Sequence, residues 1–168
     1  SEIMIAFISY IQMDYDNAIL NFKKIINRYP SHKDLDYVYY MIAISNYEQL
    51  QNESLDGYYN NLALEAFDQV IKRFPESKYA KDSRQKIILV NSNIAAKHME
   101  IGRFYLNNKK YIAALNRFKI VIDEFSVTKF TPEALHRMVE IYYEMGMYEE
   151  SYNTAALLGY NYPDSKWY

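Results

Sequence analysis

Apolar side chains recur every three or four positions along most of the chain, which is the spacing of a helix with one buried face. In one such segment Tyr37, Tyr40, Ile44 and Tyr47 follow one another at intervals of three, four and three. The breaks in the pattern predict eight helices, at about residues 2–12, 15–29, 33–50, 59–74, 78–107, 112–125, 132–145 and 149–161. The chain holds only 4 Gly and 4 Pro, whereas a small sandwich or barrel needs many turns. We therefore expect an all-α fold.

One motif occurs four times along the chain. In each copy a small residue is followed four positions later by Phe or Ala, seven positions after that by an aromatic residue, and then by Pro or Ser. The copies span Ala18–Pro30, Ala63–Pro75, Ala114–Ser126 and Ser151–Pro163. Spacings of four and seven lie on one helical face, and the small residue allows a neighbouring helix to approach closely. Pro then ends the helix, because it has no N–H and clashes with the preceding turn.

Each copy of the motif is preceded by a second amphipathic helix. Gly102 lies twelve residues before Ala114, and Tyr105 lies nine before it. This spacing is typical of the tetratricopeptide repeat (TPR), a helix pair of about 34 residues. The sequence therefore predicts a TPR-type solenoid of helix pairs. We also expect Thr131 to cap the helix that Pro132 begins, with Glu133 placed at the positive helix end.

The repeats are unevenly spaced. Their aromatic anchors are separated by 45, 51 and 37 residues, so the first two intervals carry insertions. The first insertion, Gln51–Gly57, is polar and typical of a turn. From Ser77 to Asn107 there is no Pro and one Gly, which predicts a single long helix that links the middle repeats. We expect N-terminal repeats over 1–76 and the long helix with C-terminal repeats over 77–168, in one continuous superhelix.

A stack of helix pairs produces a groove lined by the first helix of each pair. The aromatic stripe on these helices predicts a groove for an extended or aromatic-rich peptide, lined by Phe7, Tyr10, Tyr37, Tyr40, Ile44 and Tyr47. The alternative is that many of these side chains simply pack between helices, because a helical aromatic stripe is by default part of the core.

The same face continues into the C-terminal half, where Arg103, His136, Glu140 and Tyr143 extend the stripe. Arg117 lies on the second helix of its pair, where it precedes Phe118 among apolar residues. A partly buried arginine needs an acceptor. That acceptor is either an internal carboxylate or an acid of a partner protein, and the sequence leaves both open.

Composition and charge narrow the range of functions. The 168 residues are enough for one ordinary domain or a short repeat array, and the net charge of −2 removes the simplest case for nucleic-acid binding. The absence of cysteine excludes disulfides, thiol catalysis and Cys-type zinc sites. The longest apolar runs are far shorter than the roughly 20 residues of a membrane helix. The chain begins at Ser1 without a start Met, and we expect it to lack its natural N-terminus.

Candidate catalytic chemistry is sparse. The three histidines, His32, His98 and His136, are far apart in sequence, and none forms a metal-ligand pair. The four glycines are isolated and form no phosphate loop. We therefore expect no cofactor, no metal and no enzymatic activity. An enzyme would be favoured only if folding brought His98 or His136 within about 3 Å of a carboxylate in a deep pocket.

Several segments together resemble the BamD family of outer-membrane β-barrel assembly lipoproteins. They are Leu35–Met41, Phe74–Ala80 with the long helix after it, Phe104-Tyr105, Tyr111–Phe118 and Pro132–Leu135. The resemblance implies a non-catalytic scaffold at the periplasmic face of the outer membrane, held there by a lipidated N-terminus that is absent from this chain. It also implies that the C-terminal repeats dock the periplasmic POTRA region of BamA, alongside other lipoproteins of the BAM complex. The docking residues predicted on this basis are Arg103, Arg117, His136, Glu140 and Tyr143. The N-terminal repeats would meet the targeting signals of unfolded outer-membrane proteins.

The chain departs from the family pattern in two places. Leu55-Asp56-Gly57 stands where the family usually has an Arg-Asp-Pro run, and Ser126 stands where Pro is usual. The alternative to the BamD hypothesis is an unrelated TPR adaptor or co-chaperone that binds a peptide segment of another partner.

Overall fold

The computed structural model describes residues 1–52 and 57–168, and the side chains of residues 1–50 and 57–168. This part of the chain contains eight α-helices and no β-strand. The helices are α1 (Glu2–Ile11), α2 (Tyr15–Arg28), α3 (Leu35–Asn52), α4 (Gly57–Arg73), α5 (Lys78–Asn107), α6 (Tyr111–Glu124), α7 (Thr131–Glu144) and α8 (Tyr148–Asn161). All eight predicted helices are confirmed to within two residues at each end. The polar insertion predicted at Gln51–Gly57 lies mostly outside the described residues.

The chain divides into two compact units, which we call unit 1 (Ser1–Val90) and unit 2 (Asn91–Tyr168). The division falls inside the long helix α5, whose first half belongs to unit 1 and whose second half belongs to unit 2. The functional division expected at 76/77 and the continuous superhelix stay predictions.

In unit 1, α1 packs against α2, α2 against α3, and α3 against α4. The repeated motif supplies the core of this unit, because its small residues Ala18 and Ala63 and its rings Phe22 and Phe67 are fully buried. Burying a Phe side chain stabilises a fold by about 2–3 kcal/mol. The two motif copies in unit 1 therefore hold the helix pairs together, as the spacing predicts.

In unit 2, α6 packs against α7 and α7 against α8. Ala114 and Phe118 of the motif are fully buried here as well. A Cβ atom placed on Gly102 of α5 would lie only 2.7 Å from the Phe118 ring. The small residue predicted at this position is thus needed for the close approach of α5 to α6.

Two of the predicted helix starts behave differently. The Ser77 hydroxyl accepts a hydrogen bond from the backbone N–H of Tyr79 at 3.2 Å, so Ser77 caps the start of α5. Thr131 does not cap α7, because the helix begins at Thr131 itself. Its buried hydroxyl instead donates to the carbonyl oxygen of Ser126 at 3.0 Å, where it satisfies a backbone group of the loop after α6.

Candidate functional site

The aromatic stripe of unit 1 forms a chain of ring contacts. Phe7 stacks on Tyr10 with ring centroids 6.2 Å apart. Tyr37 and Tyr40 both contact Tyr79, at 5.6 and 4.9 Å between centroids. Tyr47 and Ile44 complete the stripe: Tyr47 lies edge-on to Phe67 at 6.1 Å, and Ile44 is buried at 8% exposure.

The first turns of α5 lie against this stripe. The Tyr40 hydroxyl donates a hydrogen bond to Asp82 Oδ2, and the Lys86 ammonium lies 5.3 Å from the centre of the Tyr47 ring. Burial and the hydrogen bond to Asp82 raise the pKa of Tyr40. The stripe is therefore partly covered by a neighbouring helix, and its rings serve packing at the same time as they present half-exposed edges.

Tyr10 belongs to the α1 end of the stripe. Its ring packs against Tyr15 at 5.8 Å as well as against Phe7. Burial raises the pKa of Tyr10, and the nearby carboxylate of Glu48 raises it further. This end of the stripe combines half-buried rings with one acidic group, and peptide binding by the stripe stays a prediction.

In unit 2, the predicted docking residue Arg103 is engaged inside the protein. Its Nε and Nη2 atoms donate to the two carboxylate oxygens of Glu133 at 2.8 and 2.6 Å. Glu133 is only 8% exposed, and Arg137 also approaches it at 3.7 Å. The hydrogen bonds from Arg103 hold the pKa of Glu133 below its ordinary value. Glu133 was expected only to complement the helix dipole, so the sequence analysis missed its part in this ion pair.

Arg117 has a different environment. Its Nη1 lies 3.3 Å from Nδ1 of His98, whose ring stacks on Phe125 with centroids 6.1 Å apart. Within residues 1–50 and 57–168, no carboxylate forms an ion pair with Arg117. Burial, and secondly the Arg117 charge, lower the pKa of His98. The sequence left two acceptors open for Arg117, an internal carboxylate or an acid of the partner. The described side chains supply no internal carboxylate.

His136 and Glu140 of α7 belong to a surface cluster with Arg137 and Trp167. Glu140 Oε1 lies 3.4 Å from His136 Nε2, and Glu140 Oε2 accepts from Arg137 Nη1 at 2.9 Å. The Trp167 ring lies 5.4 Å from the His136 ring and 5.2 Å from the Arg137 guanidinium. The histidine and carboxylate are partly exposed neighbours one turn apart, which differs from the short contact in a deep pocket that catalysis requires.

A cleft of about 620 Å³ opens beside this cluster in unit 2. It lies where the end of α5 and the start of α6 meet the end of α7 and the start of α8. Its lining includes two of the predicted docking residues, Glu140 and Tyr143, and the complete set is Leu106, Asn107, Lys109, Tyr111, Val139, Glu140, Tyr143, Glu144 and Ser151. Arg103, Arg117 and His136 do not line it, so the cleft holds two of the five predicted docking residues.

Two further properties depend on the described residues: metal binding on their acidic and histidine side chains, and membrane crossing on the length of their helices. No cluster of three or more acidic or histidine side chains within the described ranges could hold a metal ion. In the same ranges, no helix has the length and apolar character needed to cross a bilayer.

Comparison with known proteins gives a consistent result. Residues 1–158 match the YfiO family profile, which is described as an outer membrane lipoprotein. The "Outer membrane protein assembly factor BamD" of Rickettsia prowazekii is 42% identical over the whole chain, which spans 67% of that relative. The BamD of Caulobacter vibrioides is 40% identical, and the chain spans 55% of its length. A solved TPR protein from Thermus thermophilus is 17% identical with a TM-score of 0.37, covering 98% of this chain and 91% of that one.

Proposed function

The chain belongs to the YfiO (BamD) family of outer membrane lipoproteins, and from this premise we propose that it is a scaffold for outer-membrane protein assembly whose unit 2 docks BamA. The role in assembly follows from the relatives, which are assembly factors by name. Docking of the BamA POTRA region is a more specific proposal than a role in assembly, and it is argued from the residues of this chain.

Arg117 is the observation that carries the docking proposal. Arg103 already has a bidentate carboxylate partner in Glu133, so its charge is balanced inside the protein. Among the side chains that the structure describes, Arg117 has a histidine ring nitrogen at 3.3 Å and no carboxylate partner, and a histidine that stays neutral does not balance the guanidinium charge. A carboxylate from a bound protein would complete this site, because partly buried arginines are stabilised by bidentate acceptors.

The proposed cellular setting is supported by the same family membership. The protein works at the periplasmic face of the outer membrane, where a lipidated N-terminal segment outside this chain anchors it. Other lipoproteins of the BAM complex are its further neighbours. The function is binding rather than catalysis, in line with the partly exposed position of His136 and Glu140.

Unit 1 would receive the clients. Its stripe offers half-exposed tyrosine rings, which can bury an aromatic side chain while their hydroxyls satisfy the backbone of an extended peptide. The contacts of Tyr37, Tyr40 and Tyr79 give these rings fixed positions, so little side-chain entropy is lost on binding. The expected ligand is an extended segment that ends in an aromatic residue, as in unfolded outer-membrane proteins.

Co-purification tests the docking proposal. An affinity-tagged copy of the protein is expressed in cells and purified from detergent-solubilised outer membranes. We expect BamA to co-purify with the wild type and to be strongly depleted with Arg117→Glu. The control is Lys119→Glu, which makes the same charge change at an exposed position of the same helix. Equal recovery of BamA with all three proteins would rule out docking through Arg117.

The client proposal needs variants that preserve packing. Replacing Tyr40 by Ala would remove its hydrogen bond to Asp82, so Tyr37→Leu with Tyr47→Leu is the better pair because it removes rings but keeps apolar volume. We measure binding of a synthetic ten-residue peptide that alternates apolar and polar residues and ends in Phe. Affinity is expected to fall by about fivefold or more. Exposed Tyr58→Leu is the control, and an unchanged affinity in the folded double variant would refute the groove.

A further inference from the structure

The cleft of unit 2 combines an apolar floor with an acidic rim. Leu106, Tyr111 and Val139 contribute the apolar surface, while Glu140 and Glu144 contribute carboxylates. Lys109 is the basic residue among the cleft's lining residues. Glu140 is already paired with Arg137 and His136, so Glu144 is the carboxylate with capacity for a new partner.

The rim of the cleft is also aromatic. Tyr143 and Tyr148 are each 63% exposed, and their rings meet edge to face with centroids 5.4 Å apart. Tyr152, one turn further along α8, is 75% exposed. Exposed tyrosines that cluster beside a cleft are enriched at protein interfaces, because the ring gives a large rigid contact area at low entropic cost.

The charge of this surface is unbalanced. Glu144, Glu149 and Glu150 are all exposed, and nowhere in the described ranges does a cation pair with any of them. Together with Tyr143 and Tyr148, these acids form a negative surface with exposed aromatic rings at the turn from α7 to α8. Such a surface is complementary to a cation that can also stack on aromatic rings.

We propose that this cleft receives an arginine side chain, flanked by apolar residues, from the partner protein that unit 2 docks. A guanidinium can stack on the face of Tyr143 or Tyr148 and donate two parallel hydrogen bonds to Glu144, whereas a lysine offers one point charge and no plane. Apolar neighbours of the arginine would fill the floor between Leu106 and Val139. The identity of the partner rests on the proposed function, but the chemical preference rests on the cleft alone.

A pair of peptides tests the chemical preference. The probes are the blocked pentapeptide Ac-Gly-Leu-Arg-Leu-Gly-amide and the same peptide with citrulline, a neutral near-isostere, in place of arginine. Each is titrated into protein with isotope-labelled tyrosine rings and followed by NMR at low salt. We expect the ring signals of Tyr143 and Tyr148 to shift and the arginine peptide to bind about fivefold or more tightly than the citrulline peptide. This preference should shrink at about 0.5 M salt.

Variants separate the cleft from a general attraction to acidic surface. Glu144→Gln should abolish most of the preference for arginine over citrulline. The control is Asp123→Asn, which removes an exposed carboxylate of the same unit that does not line the cleft, and it should leave the preference unchanged. Equal affinity of the two peptides for the wild type, or an equal effect of both variants, overturns the inference.

The inference and the proposed function can fail separately. If BamA co-purifies through Arg117 but the peptides show no arginine preference, docking stands and the cleft inference is wrong. If the peptides bind as expected but BamA does not co-purify, the cleft preference stands and the docking partner is wrong.

Discussion

Arg103 and Arg117 show how far a single residue can be interpreted from sequence. Both positions are predictable, because helical spacing puts them on helices with a buried face. Their partners are not, because Glu133 lies 30 residues from Arg103 and His98 lies 19 from Arg117. Helical periodicity carries no information about which side chains on different helices meet. In the structure, Arg103 therefore pairs with a carboxylate inside the protein, whereas the charge of Arg117 is left available for a carboxylate of a partner.

Glu133→Gln is predicted to destabilise the protein by about 1–3 kcal/mol. The substitution removes the carboxylate that pairs with Arg103 and approaches Arg137. It leaves the partly buried Arg103 guanidinium without its charge partner, while Arg137 keeps its ion pair with Glu140. Chemical denaturation followed by circular dichroism measures the change in unfolding free energy. The control Asp123→Asn should change little, since that carboxylate is exposed. Equal stability of wild type and Glu133→Gln would contradict the role of the ion pair.

The same ion pair makes stability depend on pH. The pKa of Glu133 in the folded protein is below its ordinary value near 4.5, so the folded state holds the carboxylate ionised where the unfolded chain binds a proton. The stabilisation is complete above about pH 4.5 and is lost as the pH falls through the folded pKa. We therefore expect stability to fall more steeply from about pH 5 to pH 3 in the wild type than in Glu133→Gln. Parallel curves would contradict the lowered pKa.

His98 reports on the charge of Arg117. Burial, followed by the Arg117 charge, lowers the pKa of His98 below its ordinary value of 6.5, and the folded protein loses stability as the pH falls from 6.5 through the folded pKa. Arg117→Gln removes the second of these causes, so the pKa of His98 should rise toward 6.5. NMR titration of the histidine ring measures this. An unchanged pKa would mean that Arg117 and His98 do not contact each other in solution.

At the scale of helices, structure is predictable from the sequence where residues close together in the chain determine it. Helix positions follow from apolar spacing and from the Pro residues that end α2, α4 and α8. The predicted Thr131 cap is wrong, because a hydroxyl before Pro is a common cap but the loop carbonyl of Ser126 competes for it. Whether the Thr131 hydroxyl caps the helix depends on how the preceding loop folds, and the residues around Thr131 do not reveal that fold.

Gly102→Ala tests how closely two helices must approach. The added methyl would lie 2.7 Å from the fully buried Phe118 ring, and this clash should outweigh the gain of about 1 kcal/mol in helix propensity. We expect a net loss of about 1–3 kcal/mol in unfolding free energy by denaturation. Gly57→Ala is the comparison, since nothing lies within 4 Å of a Cβ atom there, and it should be neutral or slightly stabilising. A stable Gly102→Ala protein would show that α5 and α6 have room to separate.

At the scale of the whole molecule, the repeats and the fold class were predictable, but the use of each surface was only partly so. The stripe residues were assigned correctly to one helical face, yet Tyr79 and Asp82 of α5 cover part of that face. The cluster of Trp167 with His136 and Arg137 was not foreseen, because it joins the chain's end to a helix about 30 residues earlier. A surface made by segments that are distant in the sequence can be identified only from the three-dimensional structure.

The affinity of the purified protein for the purified POTRA region of BamA tests the central claim most directly. We propose calorimetric titrations of wild type, Arg117→Glu and Lys119→Glu, each first verified as folded. The account predicts that Arg117→Glu weakens binding by about 30-fold or more, because it replaces a carboxylate's partner with a like charge. It predicts that the exposed Lys119→Glu control changes affinity by about twofold at most. The same dissociation constant for wild type and Arg117→Glu would contradict it.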